Sequence, residues 1–367
     1  MTSGQTQQRT ELASMHIRKY AITRAALLCA SLGPSAAAAA TIRVPSDVAT
    51  VQGAIEASNP GDTVLVAKGI YFERLNFLGK AIELVSELGP SLTTIDAQGL
   101  GTAIKLEYVF GAGARIEGFT IKNGDGDFGG GIDLLLASPT IRRNIFVLNS
   151  SFGAAIYGSN ASPIVEHNEF LANSCDSQFV SGVLSFANIS SPRIFNNLIH
   201  DNDCRGLNLT MPREAQPVVF NNTLVRNPVG MHLDGLSNSG QIYRNNIVAD
   251  NGIGLDVLVV FDDPLVAFWE NNLLFANDLQ YLGISDQTGI NGNLSQDPQF
   301  VDSEFDYFAL TPSSPAIDAG NAEGLPMPAT DFEGSPRIQD ATGKGPRVDI
   351  GAFEGQSQAI FASGFED

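Results

Sequence analysis

The sequence predicts an all-β solenoid, a parallel β-helix built from coils of about 24–29 residues. Three observations lead there: a short phrase that recurs along the chain, two asparagines that keep their places within it, and an alternating apolar run that recurs with the same steps. The phrase reads "SPTIRRNIFVLN" from Ser138, "SPIVEHNEFLAN" from Ser162, "SPRIFNNLIHDN" from Ser191 and "QPVVFNNTLVRN" from Gln216. It continues more loosely as "GQIYRNNIVADN" and "VAFWENNLLFAN".

Taking Asn144, Asn168, Asn197, Asn222, Asn246 and Asn272 as anchors, the steps are 24, 29, 25, 24 and 26 residues. A second asparagine follows each anchor by five, at Asn149, Asn173, Asn202, Asn227, Asn251 and Asn277. Apolar residues stand three before the anchor, from Ile141 to Trp269, and two after it, from Phe146 to Leu274. A period near 25 with short apolar runs is too short for most helical repeats and suits a solenoid of strands. A leucine-rich repeat has a similar period, but its dense leucine pattern is missing. Equivalent residues of a parallel β-helix stack about 4.8 Å apart. An asparagine at a bend then bonds to its counterparts above and below, a ladder that satisfies the amides along the axis.

The alternating runs "GGGIDL", "GAAIYG", "SGVLSF", "CRGLNL", "PVGMHL" and "NGIGLDV" fix the register. Their inward residues are Ile132, Ile156, Leu184, Leu207, Met231 and Leu255, at steps of 24, 28, 23, 24 and 24. Both series put the long step in one coil, so the extra residues lie between Asn168 and Leu184, around "SCDSQFVSG". The preceding coil follows through "AIKLEYVF" and "ARIEGFTIKNG", with Phe119 at the anchor position.

Residues 1–40 read as an export signal: "MHIRKYAITR" is the positive region, "AALLCASLG" the apolar one, and "PSAAAAA" supplies small residues for cleavage. The apolar run is too short to span a bilayer. Cleavage removes Cys29 and leaves Cys175 and Cys204, each two residues after an asparagine of the second series. Their separation, 204 − 175 = 29, equals that of the anchors, 197 − 168 = 29. They therefore share a site on successive coils and are expected to form a disulfide in an oxidising compartment. The formal charge of −19, from 21 basic and 40 acidic residues, argues against nucleic acid or an anionic membrane as partner. It also disfavours an acidic polysaccharide unless a cation or a local basic strip mediates.

The coils resemble the right-handed parallel β-helix of the pectate-lyase-like superfamily. The stretch "ATVQGAIEASNPGDTVLVAKGIYFERLNFLGKAIELVSE" is similar to the opening segment of many such proteins. The resemblance implies an amphipathic helix over Val51 to Ala57 that caps the core, with "PGDTVLVAKGIYFE" as the first strands. "SPAIDAG", "DFEGSPRI" and "RVDIGAFEG" resemble the segment that follows the coils in the choice-of-anchor Q group. The final "IFASGFED" is similar to tails of some exported gammaproteobacterial proteins. The expected organisation is a signal at 1–40, a capped β-helix at 41–300, a wrapped carboxyl-terminal segment at 301–355 and a tail at 356–367.

On a strand the neighbours of inward residues face out. The outward column is Asp133, Tyr157, Ser185, Asn208, His232 and Asp256, with Lys105 one coil earlier. The superfamily's carbohydrate-active enzymes bind glycans on this sheet face, so the resemblance implies that Asp133, Tyr157, Ser185 and Asn208 contact substrate. The competing reading is an ordinary solvated face. His232 and Asp256 stand one coil apart, where the carboxylate would orient the imidazole and raise its pKa, as suits a general base. Lys105 and Arg205 are the candidate cations for an enolate-like intermediate. Asp125, Asp127 and Asp133, in "NGDGDFGGGID", are hard oxygen ligands that could hold calcium. A glycine-rich turn accounts for the same residues without a metal. Asp201 and Asp203 in "HDNDC" form a weaker acidic cluster.

The paired-aspartate and "GHG" pattern of polygalacturonases, the "GRPW"-type motif of pectin methylesterases and the arginine run of typical pectate lyases are missing. So are a phosphate loop, zinc spacings and G-x-S-x-G. The expected function is a secreted or cell-surface monomer that acts on or binds a polysaccharide or surface glycan, as a lyase or hydrolase. The alternative is a non-catalytic adhesive rod. Thiol labelling of the denatured, unreduced mature protein is expected to find no free cysteine; two free thiols per chain would refute the bridge.

Overall fold

The computed structural model describes residues 38–110, 113–175, 181–212, 214–235, 240–258, 268–338 and 347–355. The chain divides into two compact units, residues 1–39 and 40–367, and the second is described here. The expected signal, apart from its last three residues, and the tail at 356–367 lie outside the described residues.

The chain winds as a right-handed parallel β-helix with three sheets. Among the described residues, sheet 1 has ten strands, from Thr41–Val44 to Phe268–Glu270. Sheet 2 has nine there, from Gly69–Tyr71 to Leu273–Phe275, and sheet 3 has nine, from Leu75–Asn76 to Leu279–Leu282. The inward columns pair in the register that the repeat dictates. Ile141, Val165, Ile194, Val219, Tyr243 and Trp269 are successive partners on sheet 1. On sheet 2 the column runs from Phe146 to Leu274, and the rings of Phe146 and Phe170 stack at 4.8 Å. All of these are buried, so apolar contact is continuous along the axis.

The asparagines form two ladders at the two corners of sheet 2. In the first, the Asn168 side-chain oxygen accepts from the Asn144 backbone N–H (3.0 Å) and Nδ2 (3.1 Å), and the pattern repeats through Asn272. Each amide nitrogen also donates to a carbonyl of the coil behind, as Asn197 does to Val165 O at 2.8 Å. Asn293 extends the column by one member that the repeat did not mark. The second ladder runs from Asn149 to Asn277 in the same way. At its start the Asn149 carbonyl caps Gly124 N, and in the first ladder Asn144 caps Phe119 N, as the anchor position of Phe119 predicts.

The doubled asparagines have separate tasks. The residue before each ladder asparagine is left-handed, with φ of 52° at Asn196, 53° at Asn221 and 57° at Asn245. Asparagine tolerates this conformation better than most residues. Its outward side chain then donates to the carboxyl-terminal segment: Asn196 to Thr330 O, Asn221 to Asp349 O and Asn245 to Asn321 O.

At the other end, the helix Val51–Ala57 buries Val51, Ala54 and Ile55. Thr50 caps it, and the Glu73 carboxylate accepts from Val51 N and Gln52 N. A strand at Thr41–Val44, which sequence reasoning did not identify, pairs with Thr63–Val66 beside the cap.

The carboxyl-terminal segment covers the outer side of sheet 2. Leu310, Ala316 and Ile350 pack with Ile247, Ala249 and Leu273, and Phe308, Ala352 and Phe353 with Leu198 and Val225. The strands Leu198–His200, Thr223–Val225 and Ile247–Ala249 are buried throughout, whereas Ile145–Val147 alternates. Apolar residues on both faces are what a doubly covered strand requires. The quoted motifs of this segment meet in one buried knot. Arg337 pairs with Glu354 at 2.9 Å, Asp349 accepts from Asp318 N, and Asp331 accepts from Glu354 N.

Cys175 and Cys204 are disulfide-bonded with Cα atoms 5.7 Å apart. No helix among the described residues is long and apolar enough to cross a membrane.

Two outcomes are expected. Asn197→Leu strands ladder partners at a cost of about 1–3 kcal/mol, read as a lower thermal midpoint; an unchanged midpoint would refute the ladder's role. Cys204→Ser, which opens a loop closed across 29 residues, is expected to lose about 3 kcal/mol in denaturant unfolding.

Candidate functional site

Alternation along sheet 3 brings the outward column together in the expected order. Lys105, Asp133, Tyr157, Ser185, Asn208, His232 and Asp256 are successive backbone partners. The column divides into two halves of different character.

The second half is a closed hydrogen-bond chain. Asn208 Nδ2 donates to Ser185 Oγ and Arg205 Nη1 donates to Asn208 Oδ1, both at 2.9 Å. Arg205 Nη2 lies 3.5 Å from Asp256 Oδ2, which is 2.7 Å from His232 Nδ1. Ser185, Asn208 and His232 are 1%, 2% and 7% exposed, so this is no ordinary solvated face. A carboxylate only accepts, so Nδ1 carries the proton and Nε2 has the lone pair. The expected rise in the His232 pKa is not found. Burial, and after it the Arg205 guanidinium, hold the imidazole below its ordinary value of 6.5 despite Asp256. The carboxylate orients the ring, but burial together with the adjacent cation outweighs its pull.

The first half is open. A cleft of about 400 Å³ is lined by Thr102, Lys105, Glu107, Asp127, Phe128, Asp133, Tyr157 and Ser159, among others. A second cleft of about 370 Å³ adjoins it through Thr102, Lys105 and Asp127 and reaches Arg74, Asn76 and Asp125. Phe128 stacks on Tyr157 with ring centres 5.3 Å apart, and Phe152 meets the same tyrosine edge-on. Phe128 is 56% exposed, so one face of the pair is free of protein cover. Burial pushes the Asp133 carboxyl up from 3.8 to about 6, with Lys105 opposing and the charges of Glu107 and Asp127 adding. Burial, with the charge of Asp133, likewise raises the Tyr157 hydroxyl. A carboxyl that titrates near neutrality, in a cleft and beside an ammonium, is equipped to transfer a proton to or from a bound molecule.

The expected calcium ligands do not gather. Asp125 lines one cleft, Asp133 the other, and Asp127 both. Among the described residues the trio with ligand atoms within 4.8 Å of one another is His200, Asp201 and Asp306. There the place of a cation is already taken. Arg226 donates from Nε to Asp201 Oδ1 at 2.6 Å and from Nη2 to both Asp201 and Asp306. Asp201 and Asp203 therefore form no ligand pair, since the first is held by arginine and histidine.

Sequence reasoning missed Glu107, Thr102, Phe128 and Phe152. Glu107 was within reach, because it stands two residues after Lys105 and so shares its face. Phe128 was hidden in the glycine-rich turn that was read for its aspartates alone.

The family model described as right handed beta helix region matches residues 97–253. No curated protein matches the sequence. Among solved structures, the pectate lyase Pel9A aligns at 14% identity and a TM-score of 0.44, covering 83% of this chain and 90% of that one. A pectin methylesterase from Aspergillus niger aligns at 14% identity and a TM-score of 0.35, covering 71% and 91%.

The charge balance of the cleft is testable by carbon NMR of the Asp133 carboxyl, expected to titrate with a midpoint of about 6. Glu107→Gln with Asp127→Asn should lower the midpoint without returning it to 3.8, because burial remains. Lys105→Met should raise it. The opposite signs would refute this arrangement.

Proposed function

We propose that the protein is exported and acts on a polysaccharide laid along the outer face of sheet 3, with Asp133 as the proton-transfer group. The observation that carries this reading is Asp133 itself. Its carboxyl is poised near pH 6 in a cleft beside the stacked pair Phe128 and Tyr157. The apolar face of a sugar ring packs on an exposed aromatic, and hydroxyl groups meet the polar walls. Lys105, one rung from Asp133, is the cation for negative charge that develops on the sugar. Below about pH 6 Asp133 can donate to a glycosidic oxygen, and above it the carboxylate can accept a proton. The Cys175–Cys204 disulfide supports export, since such bridges persist in oxidising compartments.

The buried chain from Ser185 to His232 supports the floor of the same face. With its carboxylate, guanidinium and amide bonded to one another, it is a framework more than an open site.

A panel of neutral, acidic and amino polysaccharides, scored for unsaturated ends by ultraviolet absorbance and for reducing ends, tests the proposal. Asp133→Asn is expected to lose about 10²–10⁴-fold in turnover with circular dichroism unchanged. Phe128→Ala should weaken binding roughly two- to tenfold. His232→Ala should keep most of the turnover. Loss with His232→Ala and retention with Asp133→Asn would move the chemistry to the second half of the column. Binding without cleavage by the parent protein would assign the adhesive role instead.

A further inference from the structure

The cleft's charge points to the kind of glycan. The main cleft sets three carboxylates, Glu107, Asp127 and Asp133, against one ammonium, Lys105. The adjoining cleft adds Asp125 and Arg74, so acids outnumber bases along the whole path. Arg74 is also engaged, since its Nη1 donates to Leu100 O at 2.7 Å. This excess lies in a chain whose net charge is already −19. A negative potential concentrated by a cleft attracts cations and repels anions.

We propose that the bound glycan carries free amino groups, so that a polymer of amino sugars fits the cleft and a uronate polymer does not. This rests on the reading of the cleft as a glycan site. An ammonium on the sugar would face Asp127 and Glu107 while the ring lies on Phe128, whose exposed face also attracts cations. A uronate carboxylate in the same place would meet like charges, with Lys105 the one cation among the described residues that line the main cleft, and like charges close together are costly. Within the cleft Glu107 and Asp127 act on Asp133 as negative neighbours, with Lys105 opposing them, so the carboxylates are close enough to share one field. A cation bound among them would favour the ionised form of Asp133, and a bound anion would favour the protonated form.

Calorimetry at pH 6 with three tetrasaccharides tests the assignment: glucosamine, N-acetylglucosamine and galacturonate units, against the intact mature protein. The first two differ in charge at the amino position, which isolates the electrostatic contribution. The glucosamine tetramer is expected to bind at least about tenfold tighter than its acetylated counterpart at low salt, and the gap should close at high salt. In Glu107→Gln with Asp127→Asn the preference should vanish. In the parent, the glucosamine tetramer should lower the Asp133 midpoint measured by NMR. Equal or tighter binding of the acetylated or galacturonate tetramer would overturn the proposal. So would a preference that survives in the double variant, since the general surface charge would then explain it. If none of the three binds while another polysaccharide of the panel is cleaved, the amino-sugar assignment falls and the polysaccharide reading stands. If nothing is bound or cleaved, both fall.

Discussion

The structure depends on the asparagine ladders. A coil of a β-helix must turn three corners, and each corner leaves backbone groups that no strand can satisfy. A ladder asparagine solves this on both sides at once: its oxygen accepts from the coil before, and its nitrogen reaches a carbonyl there and the next asparagine oxygen. Each unpaired buried amide would cost about 1–3 kcal/mol, so a corner without one is expensive. The geometry also admits one stacking distance and one register. From Asn144 and Asn149 onward the register is fixed at two corners of sheet 2, which holds Asp133 and Tyr157 on adjacent rungs of sheet 3. Lys105, one coil before the ladders begin, is held by strand pairing with Asp133. Corners on the far side of the coil thus preorganise the Asp133–Tyr157 part of the candidate site.

The same corners recruit the carboxyl-terminal segment. Left-handed residues turn their side chains outward, and where these are asparagines they offer amides along one edge. The segment docks its carbonyls there, at Asn321, Thr330 and Asp349. Its own knot gathers Asp318, Asp331, Asp349 and Glu354 around the single fully buried Arg337. One guanidinium cannot balance four carboxylates in a low dielectric. Burial accordingly pushes Asp349 up to about 6 and Glu354 to about 9, so the knot holds protons that solvent-exposed acids would release. Docking and knot together leave the strands Leu198–His200, Thr223–Val225 and Ile247–Ala249 of sheet 2 covered on both faces.

What could be read from the sequence follows from what repeats. Period, ladders, inward columns and disulfide were all legible, because a solenoid writes each contact as a fixed offset; 29 residues separate Cys175 from Cys204 for the same reason that they separate Asn168 from Asn197. The outward column was legible for the same reason. Its electrostatics were not. The direction in which the His232 pKa moves depends first on burial, which offsets do not encode, and then on Arg205, which lies outside the periodic column. The gathering of ligands was equally hidden, since Asp125 and Asp133 are eight residues apart (133 − 125) yet line different clefts. Phe128 belongs to an irregular turn, and irregular turns are where a repeat stops carrying information.

The two halves of the column show why the chemistry belongs where the repeat is least regular. In the second half, coils of nearly constant length stack side chains so closely that neighbours in the column bond to one another: Ser185 with Asn208, Asn208 with Arg205, Asp256 with His232. Such mutual satisfaction stabilises the coil, but leaves little for a ligand. In the first half, the turn around Asp125 and Asp127 interrupts the stacking and opens space beside the strand. Asp133 then lies buried enough to titrate at about 6 and has no salt bridge among the described residues. A regular scaffold supplies position, and one local departure from it supplies an unspent carboxyl group, a ring face and room for a sugar.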